Sequence, residues 1–169
     1  MPLYLDQVLH LDPATIGAMY AVLLAASVPG PIVSGWLSDR VGRRPVIVAV
    51  YLGGAVSLAL FVLAGSNTTA VWIAVVLLSL FSFVESPQLQ ALMADVTSRE
   101  LRDAAFATYF ALAFGVGSAW GILYGVLTDL GGQGQGLPIV FWVMALASVL
   151  AAGATMRIGI PPRGQHLAA

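Results

Sequence analysis

The chain has 169 residues, of which 59% are hydrophobic and only 9% charged, where an ordinary soluble domain carries about a quarter charged residues. That little charge cannot cover a water-soluble globule, so the composition places the chain in a lipid bilayer. A formal net charge of −1 excludes the broad basic footprint of a nucleic-acid binder, and the absence of cysteine excludes disulfide scaffolds, thiolate metal sites and cysteine nucleophiles.

Long apolar runs fall at 14–37, 45–64, 70–94, 104–128 and 137–156. A helix rises about 1.5 Å per residue and the hydrocarbon core is about 30 Å thick, so about 20 residues suffice and every run can cross. Backbone amides in lipid must be satisfied within their own segment, which makes helix the solution for runs of this length. The predicted fold class is therefore all-α, a polytopic transmembrane helix bundle of five spans. It divides into an exterior amino-terminal segment at 1–13, a five-helix transmembrane domain at 14–156 and a cytoplasmic tail at 157–169.

In chain order, Met1 to Asp12 reads as the exterior end of a preceding helix and its loop, which suggests a six-span unit lacking its first helix. The first run contains Pro29-Gly30-Pro31, a site for a hinge or a static kink. Pro45 suits the first turn of the second helix, and Thr97 with Glu100 three residues on has the form of a capping box. Gly117, Gly121 and Gly125 repeat every four residues, as in a close helix-packing face, while Phe106, Phe110 and Phe114, also four apart, either line a substrate path or, as the plainer reading, pack against lipid or helix. Gly131, Gly132, Gly134 and Gly136 form a flexible turn before the last run.

Arginine placement orients the bundle. Arg40, Arg43 and Arg44 follow the first run, Arg99 and Arg102 the third, and Arg157 and Arg163 the fifth, so all seven fall on one side. The positive-inside rule makes that side cytoplasmic, with the amino terminus outside, the carboxyl terminus inside, and Asp6, Asp12 and Asp129 exterior.

One ionisable residue lies well inside a run: Glu85, in Phe83-Val84-Glu85-Ser86-Pro87-Gln88. A charge near the bilayer centre costs roughly 2.5–3.5 kcal/mol even on the lenient insertion scale, so Glu85 should face a polar cavity or a partner, or keep its proton. Ser82, Glu85 and Gln88 follow at i+3 and share one helical face, and Pro87 should kink the helix beside them. These three residues are the candidate substrate or proton-coupling site. A carboxyl serving only interhelical hydrogen bonding is the plainer alternative. His10 and His166 lie outside the runs on opposite sides, so neither a serine–histidine pair nor a histidine metal cluster can assemble in one membrane site. No enzyme activity and no cofactor is expected.

The most specific string is Gly35-Trp36-Leu37-Ser38-Asp39-Arg40-Val41-Gly42-Arg43-Arg44-Pro45. Asp39 sits at the carboxyl end of its helix, where the macrodipole disfavours an anion, so it needs compensation from arginines or from another helix's amino end. Gly35 permits a close helix approach and Gly42 a tight turn. The string resembles the signature loop of the major facilitator superfamily, G-x-L-[AS]-D-R-x-G-R-[RK], at every fixed position. That resemblance implies a secondary transporter of small solutes built from two six-helix halves that rock about a midplane site. It gives Gly35, Asp39, Arg40, Gly42, Arg43 and Arg44 the part of a conformational latch on the cytoplasmic side. The third run lacks the arginine usual in amino-terminal halves, so the chain resembles an incomplete carboxyl-terminal half, helices eight to twelve. The partners so implied are a small-molecule substrate, protons as a candidate coupling ion, the lipid bilayer of a plasma (inner) membrane, and the missing amino-terminal half or a partner subunit. The alternative is a non-transporting membrane partner or an inactive truncated fragment.

Overall fold

A computed structural model describes residues 1–158, and their side chains except those of 132–135; Arg163 and His166 lie outside the described residues. The described chain is helical from end to end, in the order α1 (Pro2–Gln7), α2 (Pro13–Ser27), α3 (Pro29–Val41), α4 (Arg43–Leu63), α5 (Thr68–Ser82), α6 (Glu85–Val96), α7 (Arg102–Leu130) and α8 (Gly132–Arg157), with a 3₁₀ turn at Arg99–Leu101. Two pairs are nearly continuous, so five helical segments are long and apolar enough to cross a membrane: Pro13–Val41, Arg43–Leu63, Thr68–Val96, Arg99–Leu130 and Gly136–Arg157.

Local chemistry sets the ends. The Asp12 carboxylate caps α2, accepting from the Ala14 and Thr15 amides at 3.0 Å each and from the Thr15 hydroxyl at 2.6 Å. Those bonds, with the Thr15 hydroxyl first, hold the Asp12 carboxyl below the ordinary carboxylate range. Asn67 caps α5 through the Ala70 amide at 3.1 Å. The expected capping box at Thr97 and Glu100 does not form: Thr97 ends α6 in an extended conformation, and no side chain caps the 3₁₀ turn that follows. The glycine-rich stretch is a tight corner, because α8 begins one residue after Gly131, and Gly136 packs on the backbone of Thr128, leaving no room for a Cβ.

The core lies where α4 packs between α8 and α5, and α2 closes on α5. At its centre Tyr4, Phe61 and Phe141 meet pairwise with ring centroids 5.1–5.3 Å apart, tying the short α1 to α4 and α8. Hydroxyls inside the bundle satisfy themselves on their own helices. Ser27, Ser57, Ser79 and Ser82 each donate to a carbonyl three or four residues back at 2.6–2.7 Å, so few of them are left to bind anything else.

Two spans are broken at mid-length, and the breaks touch. Pro29 and Pro31 bring no N–H, and the Val28 amide turns back three residues to Ala25 instead of four. In the other span Phe83 leaves the helical region (φ −114°, ψ 7°) and the Val84 amide likewise turns back three residues, to Phe81. The second break therefore lies ahead of Pro87, which sits in the first turn of α6, rather than at a kink made by Pro87 itself. Gly30 fits between them: a Cβ there would stand 2.6 Å from the Leu80 carbonyl oxygen and 2.8 Å from a Val84 methyl. Gly35, read from the sequence as a site of close approach, has nothing within 4 Å of its Cβ position. The glycines of α7 are equally open, and no residue of α7 is buried within this chain.

Gly30→Ala should therefore force the α3–α5 crossing apart at a cost of roughly 1–3 kcal/mol, as overpacked cores do. Gly35→Ala should be neutral or slightly stabilising, since it replaces a helical glycine in open space. Unfolding of the two variants in detergent, side by side, checks this; equal stability would mean that the crossing yields at no cost.

Candidate functional site

The signature string lies at the end of the bundle where the arginines collect. Its α3 half ends with Ser38, fully buried, whose hydroxyl donates to the Gly35 carbonyl at 2.9 Å. Gly42 turns the chain at φ +98°, a conformation that favours glycine, and α4 starts at once with Arg43. The Arg43 side chain, 17% exposed, joins three elements. It donates to the Ser38 hydroxyl at 2.6 Å, reaches Asp39 at 3.4 Å, and donates from Nε to Asp95 at the end of α6 at 3.0 Å. One guanidinium thus answers the carboxylate at the unfavourable end of α3 and ties α3 and α4 to α6, which its planar fork suits. Asp95 is the member of this cluster that sequence reasoning did not single out; the available signal was an acid at the arginine-rich end of another span. Arg40 lies over the Trp36 ring, 3.7 Å from its centroid, and Arg44 is exposed. Nearby, Arg102 donates to the Ala94 carbonyl at 2.9 Å, closing the same end between α6 and α7.

The three mid-membrane candidates are not brought together. The break at Phe83 and Val84 ends the regular i+3 progression, and the residues part. Ser82 and Glu85 face a cavity of about 710 Å³, while Gln88 is absent from its wall. Gln88 is 2% exposed and donates to the Ser34 hydroxyl at 3.0 Å, binding α6 to α3 behind the cavity. The placement of Gln88 corrects the expectation of one shared polar face.

The cavity is a half-open cleft lined by α4, α7 and α8 with α1, the end of α5 and the start of α6, and is mainly apolar and aromatic. Tyr51 of α4, Trp120 and Tyr124 of α7, and Phe141 of α8 all line it. Among the lining side chains Glu85 is the one carboxyl, and no basic side chain joins it. Counted along the helices, the wall runs from mid-span, at Tyr51, Glu85 and Ala151, towards the arginine-poor end at Leu58 and Leu137. Phe106, Phe110 and Phe114 stack along α7, away from it, in keeping with a packing role. Among the described residues no group of three or more His, Asp or Glu is placed to hold a metal ion.

A double-mutant cycle on Arg43→Ala and Asp95→Ala, measured by unfolding in detergent, should return a coupling of about 0.5 kcal/mol. That is the scale of ion pairs in which one partner stays partly exposed. A coupling of zero would remove Asp95 from the cluster.

A magnetosome protein of Paramagnetospirillum magneticum, MamH, is 29% identical over 181 aligned positions that cover 98% of this chain and 40% of the relative. The chain thus spans well under half the length of the curated relative it matches. No solved structure matches it. The family model described as Major Facilitator Superfamily matches residues 1–168, virtually the whole chain, and agrees with five apolar helices joined by the signature loop around Asp39 and Arg43: the chain belongs to the major facilitator superfamily.

Proposed function

We propose that this chain forms one part of a secondary transporter that moves a small solute by alternating access, with a second helix bundle supplying the facing wall of the path. The observation that carries the reading is the asymmetry of the bundle. One end is bound together by Arg43 with Ser38, Asp39 and Asp95, and by Arg102 with Ala94, while a cavity descends from the other end to a carboxylate at mid-span. This is the arrangement of an outward-facing state in which the ion cluster is the closed cytoplasmic gate. Only a cycle with two such states moves solute, and any residue that stabilises one of them biases the cycle. The missing wall is supported by α7, which is apolar over most of its length yet buries no residue within this chain. It is supported too by the relative's additional length.

The same exposed α7 supports a second reading, a non-transporting subunit that packs on another membrane protein. The two readings part in a transport assay. In the first, the chain is an incomplete carboxyl-terminal half in a plasma (inner) membrane, oriented with the arginine end in the cytoplasm, and Glu85 couples transport to protons. Tyr51 and Tyr124 are the other titratable groups in the described wall of the Glu85 cavity near mid-span, and a phenol stays neutral where a carboxyl titrates.

Orientation is checked by introducing cysteine into the cysteine-free chain. Thiols at Thr68 should react with an impermeant reagent added outside intact cells, and thiols at Ser98 should react only after permeabilisation. The reverse pattern would invert the assignment. For mechanism, the complete protein in proteoliposomes under an imposed proton gradient should lose transport in Asp39→Asn while still inserting normally. Glu85→Gln should still bind solute but transport it at a rate independent of pH. Transport by Glu85→Gln with the pH dependence of the parent would confine Glu85 to a structural part. No transport of any solute by the parent would favour the second reading.

A further inference from the structure

The chemistry of the cavity wall also narrows the substrate, an inference that rests on the transport reading but is separable from it by experiment. Glu85 makes no ion pair among the described residues, and the chain has no lysine at all. The described arginines sit at the far end of the bundle, as Arg43 on Asp95 and Arg102 on Ala94 show. The Glu85 carboxyl therefore has no basic side chain beside it among the described residues. Aromatic side chains share its wall: Tyr51 lines the same cavity, as do Trp120 and Tyr124, whose rings stack with centroids 5.8 Å apart. Ring faces carry negative quadrupole potential and attract cations.

Other solute classes fit less well. A polyol would need several free hydrogen-bonding groups; the Ser82 and Ser148 hydroxyls already donate to the carbonyls of Leu78 and Met144, which leaves chiefly donors borne on aromatic rings, the tyrosine phenols and the Trp120 indole. A bare metal ion would need several oxygen ligands, and the cavity wall has one carboxylate. An anion would meet the Glu85 carboxyl with no basic side chain beside it. The volume of about 710 Å³ suits a molecule of drug-like size.

We propose that the cavity binds a monovalent organic cation with an apolar body, Glu85 acting as counter-charge and Tyr51, Trp120 and Tyr124 as its aromatic wall. Tetraphenylphosphonium and tetraphenylborate are nearly matched in shape and apolar surface and opposite in charge, so they separate charge recognition from simple partitioning. Each is titrated separately into the purified complete protein in uncharged detergent by calorimetry, with empty micelles subtracted. The phosphonium should bind saturably and about tenfold or more tighter than the borate. Glu85→Gln should abolish that preference, Glu85→Asp should keep it, and Trp120→Leu should weaken phosphonium binding about threefold to tenfold. Equal binding of the two ions, no saturable binding of the phosphonium, or an undiminished preference in Glu85→Gln overturns the proposal. The comparison of the two ions on the unaltered chain stands even if a variant fails to fold. Phosphonium binding without transport by the complete protein would overturn the transporter reading alone. Transport of another solute by a protein that does not bind phosphonium would overturn this inference alone.

Discussion

A peptide group in hydrocarbon has no water to turn to, and its hydrogen bonds must be made within its own helix. That constraint explains why the apolar runs are helical, and it singles out the few places inside them where the ladder is interrupted. Interruptions occur near the middle of two spans, at Val28 to Pro31 and at Phe83 to Val84, and Gly30 lets the first lie directly against the second. Below them, Ser34 and Gln88 bind α3 to α6, so the two lower half-helices are held as a pair. Beside the second break Glu85, free of the regular ladder on its amino-terminal side, points into the cavity. The helix discontinuity and the mid-membrane carboxylate are therefore one feature, and the tolerance for both comes from the cavity that they border.

Charge is distributed along the bundle with equal economy. The arginine end is densely interconnected: Arg43 alone bonds to or faces groups on α3 and α6 from its seat at the start of α4. Each of these contacts is modest in energy because Asp39 and Asp95 remain partly in water. Such bonds are weak singly and specific in geometry. The opposite end is held by the Tyr4, Phe61 and Phe141 rings, whose apolar attraction is non-directional.

How much of this could be read from the sequence depends on the range of the interaction. The spans, their helical character and the signature loop were legible because apolar length and a local string carry them, and Asp39 with Arg43 is a local i, i+4 pair. Asp95 was not legible as their partner, since 52 residues separate it from Arg43 and any acid at that end of the bundle would have looked the same. Gly35 and Gly30 are both glycines in the same span. Only the crossing of α3 over α5 distinguishes the one with no neighbour from the one whose Cβ position is occupied.

The sequence by itself determined that the chain is a five-span membrane helix bundle of this superfamily with one carboxyl well inside its apolar runs, because length, hydropathy, arginine placement and the loop motif are local properties that survive any packing. The tertiary structure decided which side chains meet. The helical break sends Gln88 to Ser34 and leaves Glu85 facing Tyr51, Trp120 and Tyr124 across the cavity. A regular i+3 pattern cannot foresee that division, since changing φ and ψ at Phe83 reorients everything beyond it relative to Ser82.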